Sequence, residues 1–215
     1  CFYIDRKLAI DRPEGYPFSL NIAVDALLKK EFDQYREKQE VHPLCIKNNI
    51  KLVPFKHEKM EEWQNSLHKG IQYDIPNTNI TLTGGIDDVW INLDTNELFI
   101  ADYKATSTKE DVSLDDEWKS SYKRQAEIYQ WLFRKNGFKV SDTYYFVYAN
   151  GIKDLDSFNE TLSFKMSILP YEANDSWVEK AILDAYNCLQ SPTIPSFTKD
   201  CGYCNYIKDM NELEK

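Results

Sequence analysis

Gly84-Gly85-Ile86-Asp87-Asp88-Val89-Trp90 and Leu98-Phe99-Ile100-Ala101-Asp102-Tyr103-Lys104 decide how this chain reads. Both are β-branched or aromatic runs carrying acids, and Asp94-Thr95-Asn96-Glu97 between them are turn formers, so the pair predicts a β-hairpin. With the turn centred between Thr95 and Asn96, Asp87 faces Lys104 and Asp102 lies diagonally, beside Val89. Residues two apart share a sheet face, so Asp87, Asp102 and Lys104 converge with Cβ atoms roughly 5–8 Å apart. A one-residue slip would send Asp102 and Lys104 to the other face. The tripeptide alone is weak, because acid-x-Lys recurs at Asp5-Arg6-Lys7 and Glu117-Trp118-Lys119, and a surface hairpin with an ion pair is the plain alternative. The apolar setting argues otherwise: Leu98 and Ile100 precede Asp102 on its face, and Val89 and Ile91 follow Asp87. Ionised groups on such a face are costly unless paired or bound to a metal. The cluster therefore predicts a divalent-metal site with a catalytic lysine.

At 215 residues, with 42% apolar and 28% charged residues, the chain suits one domain with a sizeable core and helical embellishments. It shows neither a membrane-spanning apolar run nor a signal peptide, so a cytoplasmic setting is expected. A net charge of −9 argues against a broad electrostatic grip on nucleic acid but not against a nuclease with an acidic metal cleft. No G-x-x-x-x-G-K or G-x-G-x-x-G is present, which argues against a P-loop or a Rossmann dinucleotide site. The cysteines, Cys1, Cys45, Cys188, Cys201 and Cys204, are odd in number and do not resemble a secreted disulfide framework. Cys201-Gly202-Tyr203-Cys204 has the spacing for two thiolates to grip one metal, which is half a site, and Cys45 reads as a small buried hydrophobe.

Helical spacing of Ala23, Ala26, Leu27, Leu28 and Phe32 predicts a helix from Leu20 to about Gln39, stopped at His42-Pro43. A short strand over Ile50–Phe55 and a helix from Glu58 to about Leu67 follow, then strands over Gly70–Ile75, Asn79–Leu93 and Leu98–Ala105. Asp116–Lys135 is the clearest helix, ended by Asn136-Gly137. Strands over Thr143–Tyr148 and Thr161–Leu169 precede a helix from Ser176 to about Leu189, capped by Asp175 or Ser176. This order predicts an α/β or α+β layered domain whose central strands are covered on both faces, with a helical part over 18–68, a core over 70–170 and a C-terminal segment over 175–215.

On the 116–135 helix, Gln125 and Tyr129 share a face with Trp118, Tyr122, Leu132 and Phe133. A glutamine there needs a partner: either its amide reaches solvent, or it points over the metal site with Tyr129 and contacts a substrate backbone. Lys119, Lys123 and Arg124 offer local positive charge for phosphates. Asp88 must point away from Asp87 and reads as structural, while Trp90, Phe99 and Tyr103 on its face read as core.

These residues together resemble the PD-(D/E)XK nucleases, specifically the RecB-like branch that includes the iron–sulfur exonucleases of DNA repair and CRISPR adaptation. Gly84-Gly85-Ile86-Asp87 looks like the family's G-x-I-D motif, Asp102-Tyr103-Lys104 like its D-x-K strand, and Gln125-x-x-x-Tyr129 like its Q-x-x-x-Y helix. The resemblance implies a mixed central β-sheet flanked by helices, the restriction-endonuclease-like core. It implies that Asp87, Asp102 and the Tyr103 carbonyl hold Mg²⁺ or Mn²⁺, that Lys104 handles the attacking water, and that Gln125 and Tyr129 position the strand. The activity implied is metal-dependent hydrolysis of DNA, as an exonuclease on single strands or ends, alone or within a larger repair, phage or CRISPR complex. It also implies a 4Fe-4S cluster, or zinc in its place, for which Cys1, Cys201 and Cys204 would supply three ligands; no cysteine follows Cys204, and Cys188 could be the fourth only if the intervening prolines fold it back. The family's upstream metal-binding His has no counterpart in a G-x-x-x-H setting; His42, His57 and His68 are present, and Asp25 or Glu31 could take the role. The alternative is a nuclease-derived module that binds nucleic acid or a partner without cutting, and a third reading is an unrelated α/β protein with a structural cation.

Overall fold

The computed structural model describes residues 2–11, 15, 19–65, 68–116 and 119–213. The chain runs through α1 (Phe2–Lys7), α2 (Ser19–Lys38), α3 (Pro43–Lys47), β1 (Val53–Pro54), α4 (Met60–Gln64), β2 (Ile71–Asp74) and β3 (Thr81–Gly84). It continues through β4 (Asp88–Asn92), β5 (Glu97–Thr106), α5 (Ser120–Lys135), β6 (Thr143–Gly151), β7 (Phe164–Glu172), α6 (Val178–Gln190) and α7 (Gly202–Leu213). Two compact units result, residues 17–178 and residues 1–16 with 179–215. In the smaller unit the Tyr3 hydroxyl donates to the Ser191 carbonyl at 3.0 Å, as does the Lys7 ammonium.

The larger unit is built on a five-stranded sheet in the order β1-β4-β5-β6-β7. Only β5 and β6 pair in parallel, and α5 lies on the connection between them, as a parallel crossover requires. The fold is therefore the expected mixed sheet flanked by helices, consistent with a restriction-endonuclease-like core. Trp90, Ala101 and Tyr103 alternate onto one face and pack with Leu28 and Phe32 of α2 and Val147 of β6. Phe32 stacks on Trp90 with centroids 5.5 Å apart. Val89, Ile100, Tyr144 and Phe146 are fully buried, and α5 buries Leu132 and Phe133. Cys45 is buried, as its small apolar side chain suggests, and burial pushes its thiol up to about 12.

The hairpin forms with a different register. Asn92 pairs with Glu97 and Asp88 with Ala101, so the turn is Leu93–Asn96 and its centre lies one residue earlier than expected. The Asn92 side chain accepts from the Asp94 and Thr95 amides, and Asn96 takes the left-handed conformation at φ 53°, which fixes that turn. The strand expected over Asn79–Leu93 is two strands, β3 paired with β2 and β4 paired with β5. Asp87 stands just before β4 rather than within it.

That break leaves β5 longer than its neighbour: beyond Ala101 it has no β4 partner. The Tyr103 amide donates instead to Asp87 Oδ2 at 2.8 Å. This satisfies a backbone group that a shortened ladder would strand.

Gly84 is required for contact rather than for backbone freedom. A Cβ there would stand 2.8 Å from Tyr129 Cε1 and 3.0 Å from Leu132 Cδ1. Gly84→Ala is expected to cost about 1–3 kcal/mol, as overpacking does, and to displace the Tyr129 ring. Urea unfolding measures the first and the Tyr129 ring resonances the second; an unchanged midpoint would refute the tight approach.

Other differences have local causes. Residues 117–118 lie outside the described segments, so the start expected at Asp116 is undecided there, and α5 is assigned from Ser120. Likewise Leu67, the end expected for the earlier helix, lies outside them. Asp175 does not cap α6; its carboxylate holds Arg134 at 2.8 Å, and α6 begins at Val178. His42 does end α2's region, but as the cap of α3, its Nδ1 accepting from the Leu44 amide.

Candidate active site

The site lies where β5 outruns β4. Asp87 supplies one carboxylate from the β3–β4 connection, Asp102 a second from β5, and Asp25 a third from α2. Lys29, one turn after Asp25, lies 2.9 Å from Asp25 Oδ2 and 2.9 Å from Asp87 Oδ1. Lys104 Nζ lies 2.6 Å from Asp102 Oδ2. Asp102 Oδ2 is buried, and among the described residues it has no partner besides this ammonium. Asp87 is braced further by Gln64, whose amide donates to the Asp87 carbonyl at 2.8 Å.

The charge balance is tight. Asp102 is 3% exposed, and burial with the neighbouring Asp87 raises its pKa to about 7 against the pull of Lys104. Burial and Asp87 also raise Asp25. Burial pushes the Lys29 ammonium down, but Asp87 and Asp25 outweigh it and its pKa stands above the ordinary value.

From α5, Gln125 Nε2 donates to the Tyr129 hydroxyl at 2.9 Å, and Gln125 Oε1 lies 3.5 Å from Lys104 Nζ. Tyr122 closes this side, its ring centroid 4.6 Å from Lys104 Nζ. A cavity of about 280 Å³ opens between Asp25, Asp87, Lys104 and Tyr122. Asp87, Asp102, Lys104, Gln125 and Tyr129 are thus brought together.

Asp88 turns into the core, fully buried. Its carboxylate accepts from Arg36 at 2.6 Å, from the Tyr103 hydroxyl at 2.7 Å, from its neighbour's amide at 2.7 Å and from Trp90 Nε1 at 3.1 Å. Of the two helix acids considered, Asp25 reaches the site and Glu31 does not; Glu31 bonds His42 Nε2 at 3.0 Å. His42 stacks on Phe32 and His57 on Trp63. Lys119 is not a free surface cation: it is 6% exposed, 2.6 Å from Asp116 and 2.5 Å from the Ser113 carbonyl. Lys29 was legible only as a helix charge, since nothing local in its sequence marks the contact with Asp87.

The donors suit a hard divalent cation. Among the described residues no three His, Cys, Asp or Glu side chains form a metal cage by themselves. Mg²⁺ rarely needs one, because it keeps waters and binds through one or two carboxylates together with substrate phosphates. The buried Asp102 carboxylate, with Asp87 close enough to raise its pKa, fits that requirement.

In the smaller unit the Cys201 and Cys204 thiols are hydrogen-bonded to each other at the start of α7. Hydrogen bonds from Cys204 hold Cys201 below the ordinary thiol value. Cys1 lies outside the described residues. Two converging thiols do not make a four-ligand cluster site, so no chemistry is routed through one.

Residues 17–208 match the model of the PD-(D/E)XK nuclease superfamily, and the chain belongs to that family. No curated protein matches the chain. Members of the superfamily usually hydrolyse phosphodiester bonds. No helix among the described residues is long and apolar enough to cross a membrane.

Proposed function

We propose that this protein is a Mg²⁺- or Mn²⁺-dependent deoxyribonuclease of the RecB-like type, acting on single strands or DNA ends. The observation that carries the reading is the buried Asp102 carboxylate, paired with Lys104 at 2.6 Å and close to the second carboxylate of Asp87 at a cleft edge. Asp87, Asp102 and the Tyr103 carbonyl would hold the cation. When bound, it supplies Lewis acidity and a more acidic water. Lys104 orients the attacking water and stabilises charge building on the phosphoryl oxygens. Water adds to phosphorus, the P–O bond to the leaving sugar oxygen breaks, and a phosphate monoester and a hydroxyl result. Gln125 and Tyr129, linked at 2.9 Å, position the strand. Lys29, held by Asp25, pairs with Asp87 at 2.9 Å and orients its carboxylate.

The test is cleavage of end-labelled single- and double-stranded DNA with each metal, wild type against Lys104→Ala and Asp102→Ala. Metal-dependent cutting lost in both variants supports the reading, and the product ladder gives the polarity. A folded wild type that binds Mn²⁺ but does not cut assigns a binding module instead.

The raised Asp102 pKa has a sign that can be checked. Below about 7 the carboxyl holds a proton that must leave when metal binds. Mn²⁺ affinity is therefore expected to rise about tenfold per pH unit towards that value and to level off above it. Without metal the trend reverses: the folded state binds more protons than the unfolded state between the ordinary value of 3.8 and about 7, so stability falls as pH rises through that window. Calorimetry across pH reads both; a flat Mn²⁺ affinity would overturn the assignment of Asp102.

A further inference from the structure

A second cavity, of about 360 Å³, lies on the other side of Lys104. It is formed by the connection between β5 and α5, and Lys104 and Tyr122 line both it and the carboxylate cleft. Its back wall is fixed by the buried Lys119, which ties the connection to α5 through Ser113 and Asp116 and lies 6.0 Å over the Tyr148 ring. Tyr148 also lines the cavity; it is 2% exposed, and its buried hydroxyl has no hydrogen-bond partner among the described residues. A buried phenol normally finds one.

We propose that this cavity receives an unpaired nucleobase of the nucleic-acid strand whose phosphate lies at Lys104. The inference rests on the nuclease reading for its substrate. The lining fits a base better than a phosphate: the partly exposed Tyr122 ring offers stacking surface, the Tyr148 hydroxyl in the wall can donate or accept, and Glu110 accepts from exocyclic amino groups. The carboxylates of Glu110 and Asp116 disfavour a second phosphate there. A paired base is held in its stack, so the cavity selects strands whose bases can swing out, which is a physical basis for preferring single strands or frayed ends.

The test uses short single-stranded oligonucleotides, each with one abasic residue at a successive position, with wild type, Val112→Trp and Tyr148→Phe. Val112 lines the cavity, and a tryptophan there fills it. For wild type, one abasic position beside the cut bond is expected to raise KM about tenfold, the loss of one stacked base. Val112→Trp raises KM for the intact strand comparably and abolishes sensitivity at that position alone. Tyr148→Phe, which keeps the ring, raises KM about threefold, as loss of one hydrogen bond does. Anisotropy in Ca²⁺ gives the binding arm: a wild type that binds the intact strand about tenfold tighter than the abasic one but cuts neither in Mg²⁺ or Mn²⁺ refutes the nuclease reading and supports the pocket. Cutting with no position-dependent abasic effect, or with an effect that Val112→Trp leaves in place, overturns the pocket.

Discussion

Lys104→Ala is expected to lower kcat on DNA by about 10³-fold while Mn²⁺ binding at pH 8.5 stays near the wild-type value. Among the described residues Lys104 is the cation in contact with Asp102, 2.6 Å from its buried oxygen, and it borders both cavities. Removing it takes away the donor for the attacking water and the charge opposite the developing phosphoryl oxygens. It also removes the pull that keeps the Asp102 pKa from rising further. Mn²⁺ binding at pH 6.5 should therefore weaken, because more of the carboxyl is protonated, and should recover at pH 8.5. Lys104→Arg restores the charge but not the compact ammonium, and is expected to rescue binding at the lower pH without rescuing the rate. Single-turnover cleavage and titration calorimetry separate these effects; a rate loss below about tenfold would remove Lys104 from the chemistry.

Arg36→Met should be the most damaging substitution for stability, costing about 3–5 kcal/mol, the range for removing one partner of a buried ion pair. Asp88 is fully buried and receives Arg36 at 2.6 Å. Without the guanidinium, three neutral donors are left to hold an uncompensated carboxylate. Adding Asp88→Asn removes that charge while keeping an acceptor for Tyr103 and Trp90, and is expected to recover part of the loss. Urea unfolding of the single and double variants measures both. A cost under about 1 kcal/mol for Arg36→Met would mean that the neutral donors suffice.

The hairpin shows how an inexact reading can still locate a site. The turn centre was one residue off, which changes every cross-strand partner by two positions, and two positions preserve the sheet face. Asp87, Asp102 and Lys104 therefore converge under either register. Gln125 and Tyr129 were legible because helical spacing fixes their shared face and the crossover brings α5 over β5. What α2 brings was not legible: its periodicity marks a helix, but no local signal tells that Asp25 and Lys29 reach Asp87, or that Arg36 reaches Asp88. The burial of Lys119 was hidden likewise, since its partners Ser113 and Asp116 lie in a polar connection with no periodicity. The break before β4 was missed because Gly84 to Asp87 reads as strand until the tertiary contact of Gly84 with Tyr129 is known.

Asp87 and Asp88 are consecutive residues facing opposite ways, and the same helix holds both: Lys29 takes the first and Arg36, two turns on, takes the second. Detaching α2 would expose the buried Asp88 charge and release the cleft carboxylate in one event. The helix and the cleft are thus tied through two adjacent residues, so breaking either ion pair is expected to speed amide exchange along α2 between Lys29 and Arg36.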